Sequence, residues 1–307
     1  MFAVVRWNAS FSENFQVYCG VRQGGILSPI LFNVYVDDLI HELLADGHGC
    51  HISQTFFGCI MYADDILLLS PSIHGLQCML DRCNEYGHEC HILFNQGKSV
   101  CVAIGFKADN KIKGMMTIGD NEINWVSELK YLGVHFKAAR ALDVNITPIK
   151  HKFYGAFNSL MSRCKYAAEP VKLQMLKSFC MPLLSFCLGA MVLKKQAIAS
   201  LSVCWNDAFR KIFDMQRYES VKEVIFYCGE LDFSHMYDLA RIRFLRTVCL
   251  KFSYCIPLYC CSEWRYHALS NLLAIYDVKF EHVTCWSTAV MSHFQYTLLW
   301  TPMLHKC

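Results

Sequence analysis

The sequence has no apolar run long enough to span a membrane. Its longest apolar stretches, such as Met181–Val192, are interrupted by Pro182 and Ser185 and fall short of the roughly 20 residues that a span requires. The N-terminus also lacks the apolar core of a signal peptide, because Arg6 and Trp7 follow five residues of mixed character. These absences predict an intracellular protein, nuclear or cytoplasmic, that is not secreted and has no membrane partner.

Charged side chains are also scarce. They make up 18% of the chain, against about 25% in an average soluble domain, whereas hydrophobic residues make up 54%. This balance excludes a disordered chain and predicts a packed core, and 307 residues suggest two domains. The net charge is only +3. A polyanion-binding protein normally has a large positive excess, so the total charge taken alone argues against a nucleic-acid partner.

The 18 cysteines include no CxxC pair. The tightest group with metal-binding residue types is His88, Cys90 and His91, and two of these are adjacent, which is a poor geometry for one tetrahedral zinc site. Most cysteines lie in apolar surroundings, as Cys180 and Cys187 do. They are therefore predicted to be small core residues in a reducing compartment.

The near-neutral total hides an uneven distribution of charge. Residues 1–100 carry 4 basic and 10 acidic side chains, residues 101–200 carry 14 and 6, and residues 201–307 carry 11 and 10. An acidic region followed by a basic one suits a cation-binding site beside a surface that binds phosphates. A chance fluctuation in composition is the alternative, and the counts alone leave both open.

The hydrophobic pattern predicts a mixed N-terminal region. Two β-rich runs, Phe2–Trp7 and Phe15–Cys19, flank a polar stretch and predict a hairpin. Ser28 is predicted to be the N-cap of a helix that ends near Leu44, and a second, amphipathic helix begins at Ser72. Shorter strands are predicted at Ser99–Ile104, Met115–Ile118, Glu122–Trp125 and Tyr131–Phe136.

Beyond Asn145 the hydrophobic period becomes helical. One helix is predicted around Phe153, another over Val171–Lys194 with a kink near Pro182, and a third over Ala197–Asp214. The predicted fold class is α+β. Its regions are a mixed α/β region at 1–137, an all-helical region at 145–214, and a helical region of unknown role at 215–307.

Two adjacent carboxylates, Asp64 and Asp65, stand between apolar runs that both are expected to be buried. Like charges side by side raise each other's pKa unless something compensates. At the tip of a hairpin they offer hard oxygen ligands to Mg²⁺, which leaves room for substrate phosphates. An Asp-Asp β-turn kept for turn chemistry alone is the other interpretation. These two residues alone do not decide between them.

The segment Gly20-Val21-Arg22-Gln23-Gly24-Gly25-Ile26-Leu27-Ser28-Pro29-Ile30-Leu31-Phe32-Asn33, followed by Tyr62-Ala63-Asp64-Asp65, resembles the reverse transcriptase domain of non-LTR (LINE-type) retrotransposons. Four further stretches match in order: Tyr35–Leu39, Gly87 with Asn95 and Lys98, Leu129–Val134, and Trp205–Phe213. Group II intron and telomerase relatives share the Gln-Gly and Ala-Asp-Asp signatures. The residue pattern of the Gly20–Asn33 segment and the Trp205–Phe213 stretch favour the LINE type.

This resemblance implies a partial polymerase palm at 1–137, in an RNA-directed DNA polymerase that uses an RNA template, a DNA primer and dNTPs. In such nucleotidyltransferases, two Mg²⁺ ions clamp the primer 3′-oxygen and the phosphates of the incoming nucleotide. Asp64 would be the main metal ligand from this hairpin, Asp65 would be its partner, and both are implied to be catalytic. Tyr62 would lie near the primer end.

The resemblance assigns substrate contacts as well. Gln23 and Gly24 would shape the floor under the templating base pair, where glycine permits close backbone approach. Lys98 would face the triphosphate and assist the pyrophosphate leaving group. A lysine at the start of a strand is also commonly just a solvated charge, and the sequence leaves this alternative open.

A primer grip and a thumb are implied further along the chain. Tyr131, Leu132 and Gly133 would hold the primer strand, although a buried strand aromatic is an equally good interpretation of Tyr131. Residues 145–214 would be the thumb, and its cations would follow the nucleic-acid backbone. A solvated helical face is the alternative. These cations are Lys150, Lys152, Arg163, Lys165, Lys172 and Lys177.

The sequence departs from the family pattern at its start. The family requires a third aspartate before the Gln-Gly loop, but Met1–Val36 contains no aspartate and its one acidic residue is Glu13. The basic fingers that seat the triphosphate are missing too. We therefore expect an N-terminally truncated enzyme that is inactive alone. The alternative is a non-catalytic retrotransposon relic that binds RNA or protein. The oligomeric state and the RNA that is copied are left open.

Overall fold

A computed structural model describes residues 2–17, 24–52, 55–105, 114–251 and 271–276. The fold is α+β, with small, mostly antiparallel sheets and several helices. The chain divides into two compact units. The first comprises Met1–Cys101 and Asn110–Trp125, and the second comprises Val102–Asp109 and Val126–Cys307. Within the parts of the chain that the structure describes, no helix combines the length and the apolar character needed to cross a bilayer.

The first unit begins with the predicted hairpin. Strand β1 (Phe2–Ala3) pairs antiparallel with β4 (Phe15–Gln16), and between them β2 (Arg6–Trp7) pairs with β3 (Ser10–Phe11). The strand residues are mostly exposed, so the hairpin contributes little to a core.

Two long helices form the framework of the first unit. They are α1 (Ser28–Asp46) and α2 (Ile73–Glu89). Helix α2 was predicted to begin at Ser72 and begins one residue later, at Ile73, where the Ser72 hydroxyl caps it by accepting a backbone N–H at 3.0 Å. The predicted N-cap at Ser28 was wrong: Leu27 precedes α1 without a side-chain cap. The N–H of Ser28 already donates to a carbonyl three residues earlier, so the helix begins one residue sooner than predicted.

Short strands complete the first unit. The pairs β5–β6, β7–β8 and β10–β11 are antiparallel, whereas β9 pairs parallel with β11. The predicted strand at Ser99–Ile104 is shorter than expected, since only Val100–Cys101 pairs. The strands are β5 (His51–Ile52), β6 (Thr55–Phe56), β7 (Cys59–Tyr62), β8 (Asp65–Leu68), β9 (Val100–Cys101), β10 (Met116–Ile118) and β11 (Asn121–Trp125).

The helices and strands of this unit share two apolar cores. One lies between α1 and α2, and strands β7 and β8 pack against it. The other joins α2 to β9, β10 and β11. The buried members of the first are Leu39, Leu43, Met79, Cys83 and Tyr86, and those of the second are Leu80, Cys101, Met116, Ile118 and Ile123.

The second unit opens with a three-stranded antiparallel sheet, formed by β12 (Glu128–Tyr131), β13 (Val134–Lys137) and β14 (Asp143–Val144). The pattern-based prediction of a single strand at Tyr131–Phe136 was wrong. The chain reverses at Leu132 and Gly133, which both have positive φ, at 45° and 84°. The sequence pattern does not reveal this turn, because the residues on both sides of it favour β-strands.

The predicted helix over Val171–Lys194 is interrupted and ends early. It consists of α4 (Glu169–Met175), a π-helical segment (Leu176–Cys180) and α5 (Met181–Ser185). Proline has no N–H to donate, and its ring clashes with a carbonyl one turn back in an α-helix. The wider π turn immediately before Pro182 accommodates this conflict. The other helices are α3 (Thr147–Arg163), α6 (Lys195–Ile212), α7 (Lys222–Tyr227) and α8 (Phe233–Lys251).

One large core unites the helices of the second unit with its sheet. The segment implied by resemblance at Trp205–Phe213 forms the last part of α6 together with its C-cap residue, Phe213, and is mainly a packing element. Trp205, Ala208 and Phe209 are fully buried, and the Trp205 indole donates to the carbonyl of Leu231 at 3.1 Å. The described part of the C-terminal region is largely helical, and 271–276 packs on α8. Residues 252–270 and 277–307 lie outside the described part.

Candidate active site

The acidic hairpin consists of β7 and β8 and is paired in full register. Cys59 lies opposite Leu68, Met61 opposite Ile66, and Tyr62 opposite Asp65. Because side chains alternate across a strand, Cys59, Ile66 and Leu68 face the α1–α2 core. Tyr62 and Asp65 therefore share the opposite face. The prediction that both apolar runs are buried holds for only one face, since Ile60 and Tyr62 are exposed.

The two carboxylates occupy different places in this hairpin. Asp64 is in the two-residue turn with Ala63, and Asp65 is the first residue of β8. Ala63 has a φ of 51°, a left-handed conformation that costs energy for any residue with a Cβ. Both carboxylates are exposed to solvent. Tight strand pairing and a strained turn thus present two acidic groups at the tip of a hairpin whose other face is anchored.

The donor chemistry of this tip suits a hard divalent cation. Carboxylate oxygens are the ligands that Mg²⁺ prefers, and one or two of them are its usual protein ligands beside water and phosphates. Among the described residues, neither Asp64 nor Asp65 forms an ion pair or a hydrogen bond, so their oxygens are available. No group of three or more His, Cys, Asp or Glu residues is arranged to hold a metal within the same described part.

Two hydroxyls support the helices behind the hairpin. The Tyr86 hydroxyl of α2 donates to the carbonyl oxygen of Tyr35 in α1 at 2.7 Å. The Tyr35 hydroxyl in turn donates to the carbonyl oxygen of Cys90, where α2 ends. Burial and the contact with Cys90 raise the pKa of Tyr86, so it remains a neutral hydrogen-bond donor over the whole physiological range. These bonds fix the two helices against which β7 and β8 pack.

Of the remaining sequence-predicted residues of the first unit, Gly24 and Lys98 are in turns. Gly24 is exposed, with a φ of 78° that glycine alone adopts at no cost, and Gln23 lies outside the described residues. Lys98 is exposed in a turn before β9. Its N–H donates to the Asn95 side chain at 3.1 Å, which fixes the backbone and leaves the ammonium group in solvent.

The hairpin formed by β12 and β13 has one polar and one apolar face. Val134 is buried and Phe136 packs in the core of the second unit. Leu132, at the tip, is 40% exposed, and Tyr131 is half-buried. On the polar face, Glu128 accepts hydrogen bonds from Asn145 and from His135, both at 2.9 Å.

These two contacts have an electrostatic consequence for Glu128. The hydrogen bond from Asn145 and the hydrogen bond and charge of His135 outweigh partial burial and lower the pKa of Glu128. Its carboxylate therefore remains ionised and ties β12 to the segment after β14.

The six cations predicted for a thumb differ in their surroundings. Lys177 is already engaged by Glu230 at 2.5 Å, and the ammonium group of Lys150 donates to the Ser200 hydroxyl at 2.9 Å. Lys172 is half-buried. Three others are exposed: Lys152 in the first half of α3, Arg163 at its end and Lys165 just after it.

One residue near the predicted primer grip was missed by sequence analysis. Phe186 follows α5 and is 51% exposed. Its ring lies against the backbone of Gly133. A Cβ atom added to this glycine would be only 3.0 Å from the ring. No sequence signal identifies this residue, because its contact joins positions 53 residues apart.

The acidic hairpin lies in a segment that matches a known protein family. The family described as reverse transcriptase (RNA-dependent DNA polymerase) matches residues 1–136, which include the whole acidic hairpin. Residues 1–136 belong to the reverse transcriptase family. This match confirms the resemblance on which the site assignment rests, and the assignment of individual roles remains a prediction.

The relatives of this reverse transcriptase domain come from mobile elements. It is 32% identical over 143 residues to the Retrovirus-related Pol polyprotein from type-2 retrotransposable element R2DM of Drosophila melanogaster, covering 44% of this chain and 13% of the relative. A type-1 retrotransposable element R2 polyprotein of Nasonia vitripennis is 32% identical over 141 residues, covering 41% and 13%. The RNA-directed DNA polymerase from mobile element jockey of Drosophila funebris is 27% identical over 143 residues, covering 45% and 15%.

These relatives confirm the LINE-type, non-LTR character of the domain. The aligned part of the chain spans only 13 to 15% of the length of these three relatives.

Proposed function

We propose that this chain supplies palm and thumb parts of a LINE-type RNA-directed DNA polymerase, which copies an RNA template onto a DNA primer using dNTPs. One observation carries the proposal. The Tyr62-Ala63-Asp64-Asp65 hairpin, within the segment that matches the reverse transcriptase family, holds two exposed carboxylates on a tip anchored by the α1–α2 core.

Asp64 and Asp65 are proposed to hold Mg²⁺. The bound metal would stabilise charge on the attacking primer oxygen and on the phosphates of the nucleotide. Tyr62 shares a face with Asp65, so its exposed ring is proposed to contact the primer end. Strain at Ala63 fits this role, because strained backbone is commonly retained where it positions functional groups.

Loop residues of the same segment are proposed to contact the substrates. Gln23 and Gly24 would lie under the templating base pair, and the open backbone at Gly24 permits close approach. Lys98 would face the triphosphate with its solvent-exposed ammonium group. The β12–β13 hairpin would hold the primer through Tyr131, Leu132 and Gly133.

The exposed cations of the second unit are proposed to bind the nucleic-acid backbone. Lys152, Arg163 and Lys165 are in solvent and free to reach phosphates. Lys150, Lys172 and Lys177 were predicted for the same role. Of these, Lys150 and Lys177 already have partners within the protein, so we propose a smaller contribution from them.

We further propose that these 307 residues bind template–primer but do not extend it by themselves. The two carboxylates come from one hairpin, whereas the family mechanism uses a third aspartate on a separate strand, and no aspartate precedes Asp37 in the sequence. The proposal is tested by primer extension on an RNA template with Mg²⁺. Robust synthesis that Asp64→Ala abolishes would overturn the inactivity of the chain and support its catalytic assignment.

Metal binding is tested without relying on activity. Fe²⁺ occupies Mg²⁺ sites, and with ascorbate and peroxide it cleaves the backbone next to itself. We expect cleavage within residues 62–66 that Asp64→Asn abolishes. Asp120→Asn is the matched control, because Asp120 is also exposed in a two-residue hairpin turn. Binding of template–primer without such cleavage would instead favour the non-catalytic, RNA-binding alternative.

A further inference from the structure

The turn of the β12–β13 hairpin is unusual in its sequence. Two-residue turns with positive φ at both positions are the type I′ turns that fit the twist of a hairpin, and they normally contain Asn-Gly, Asp-Gly or Gly-Gly. Here Leu132 takes the first position at a φ of 45° and Gly133 the second at 84°. Leucine pays a steric cost in this conformation, and its side chain is 40% exposed, so burial does not explain its presence.

Phe186 lies against the same turn. Its Cε1 and Cζ atoms would be 3.0 and 3.3 Å from a Cβ on Gly133, so the ring approaches the glycine backbone as closely as it does only because no side chain intervenes. About half of the Phe186 surface remains exposed. The next residue, Cys187, also has a positive φ, at 54°. Leu132 and Cys187 both have strained backbone conformations. They flank the solvent-facing contact between the Leu132–Gly133 turn and the Phe186 ring.

The charges nearby favour a nucleic-acid occupant. Lys130 and Lys137 are exposed on the polar face of the hairpin, and Arg140 is exposed in the loop that follows. The acidic residues of that sheet face are already engaged, Glu128 by Asn145 and His135, and Asp143, opposite Lys137, by Lys194. An apolar tip with an aromatic ring, flanked by cations, is the combination that binds single nucleotides by stacking and phosphate attraction.

We propose that Phe186 and the Leu132–Gly133 turn form one stacking contact for a nucleotide of the strand that the hairpin holds. Phe186 supplies the ring face, and Leu132 supplies an apolar edge beside it. This inference rests on the proposed function and adds a positioning residue to it. Phe186 takes no part in the chemical step. Its role is to position a base or sugar.

The test uses the full chain and a template–primer whose primer contains 2-aminopurine, a base that loses fluorescence when an aromatic ring stacks on it. For Phe186→Leu, which keeps the apolar contact but removes the ring face, we expect dissociation constants raised at least about fivefold and loss of the quenching. Phe186→Trp should keep both. Phe179→Leu is the matched control, because Phe179 is another exposed phenylalanine, at 61% against 51% for Phe186, and this variant should bind like the wild type.

A variant-free measurement guards against misfolding. Primer containing 5-iodouracil, irradiated in complex with the unmodified protein, should cross-link to the peptide that contains Phe186. Wild-type binding with an unchanged Phe186→Leu affinity, or cross-linking only elsewhere, would overturn the stacking contact and leave the proposed function standing. Failure of the wild-type chain to bind template–primer would overturn both.

Discussion

The carbonyl oxygen of Ile92 lies 2.7 Å from the position that a Cβ atom on Gly87 would occupy, and the Phe94 ring approaches the same point at 3.0 Å. Gly87 is in α2, and its own carbonyl accepts the N–H of Ile92. The chain after α2 therefore folds back directly onto the helix. This close approach places Ile92 and Phe94 in the core that anchors the acidic hairpin.

Gly87→Ala should lower the free energy of unfolding by about 1–3 kcal/mol, because the added methyl group collides with a backbone oxygen that is not free to move away. Urea denaturation measures the change. Gly155→Ala is the control, since Gly155 is inside α3 with no atom within 4 Å. That control should raise stability by about 1 kcal/mol through helix propensity. Equal effects of the two substitutions would contradict the steric explanation.

Leu132→Asn should raise the free energy of unfolding by about 1 kcal/mol, because asparagine tolerates the left-handed conformation that strains leucine. Denaturant midpoints of the two proteins give the difference. Leu142→Asn changes another exposed leucine that lies outside that conformation, and it should leave stability within about 0.5 kcal/mol. A destabilised Leu132→Asn protein would show that the side chain packs more than its exposure indicates.

Glu128 should make stability depend on pH in the acidic range. Hydrogen bonds from Asn145 and His135 lower its pKa in the folded state, so its contribution is complete above the ordinary glutamate pKa of about 4.3 and is lost as the pH falls through the lowered value. Between pH 7 and pH 3, the melting temperature should fall more steeply for the wild type than for Glu128→Gln. Glu122→Gln, at an exposed position on β11, should follow the wild type. Parallel curves for the wild type and Glu128→Gln would exclude this linkage.

The exposed cations of the proposed thumb should determine how salt weakens template–primer binding. Lys152→Gln should reduce the slope of log affinity against log salt concentration by about 1, because one phosphate contact is lost. Lys177→Gln should leave that slope unchanged, since its ammonium group is paired with Glu230, and it should instead lower stability. Fluorescence anisotropy at several salt concentrations measures both. A larger slope change for Lys177→Gln would assign the nucleic-acid contact to the other group of cations.

Local patterns were sufficient for elements whose boundaries are set by neighbouring residues. The apolar runs on either side of Asp64 and Asp65 indicated the acidic hairpin, and the hydrophobic pattern placed the start of α2 within one residue of where it lies. Ser28 was predicted as an N-cap and is not one, because a hydrogen bond in the preceding turn starts the helix earlier. The interruption at Leu176–Cys180 was anticipated only as a proline kink, since the choice of a π turn depends on packing around the helix.

The candidate site divides in the same way. Asp64 and Asp65 are adjacent in sequence, and the pattern around them was enough to find them. The contact between Phe186 and Gly133 joins two distant positions, and neither residue is informative alone. Likewise, the six cations predicted for a thumb are equivalent in sequence, and only the folded chain distinguishes Lys177, paired with Glu230, from Lys152 in solvent.

The π-helical segment determines the direction in which the side chains of the following helical turn point. The N–H of Met181 donates to the carbonyl of Leu176, five residues back, so the turn contains one residue more than an α-helical turn. Removing one residue from Leu176–Cys180 would restore α-helical spacing and rotate the next turn by about 100°. Leu184 would leave the core, and Phe186 would emerge on a different side of the helix, away from Gly133. A single-residue deletion in this segment would thus break the contact between Phe186 and Gly133 without changing either residue.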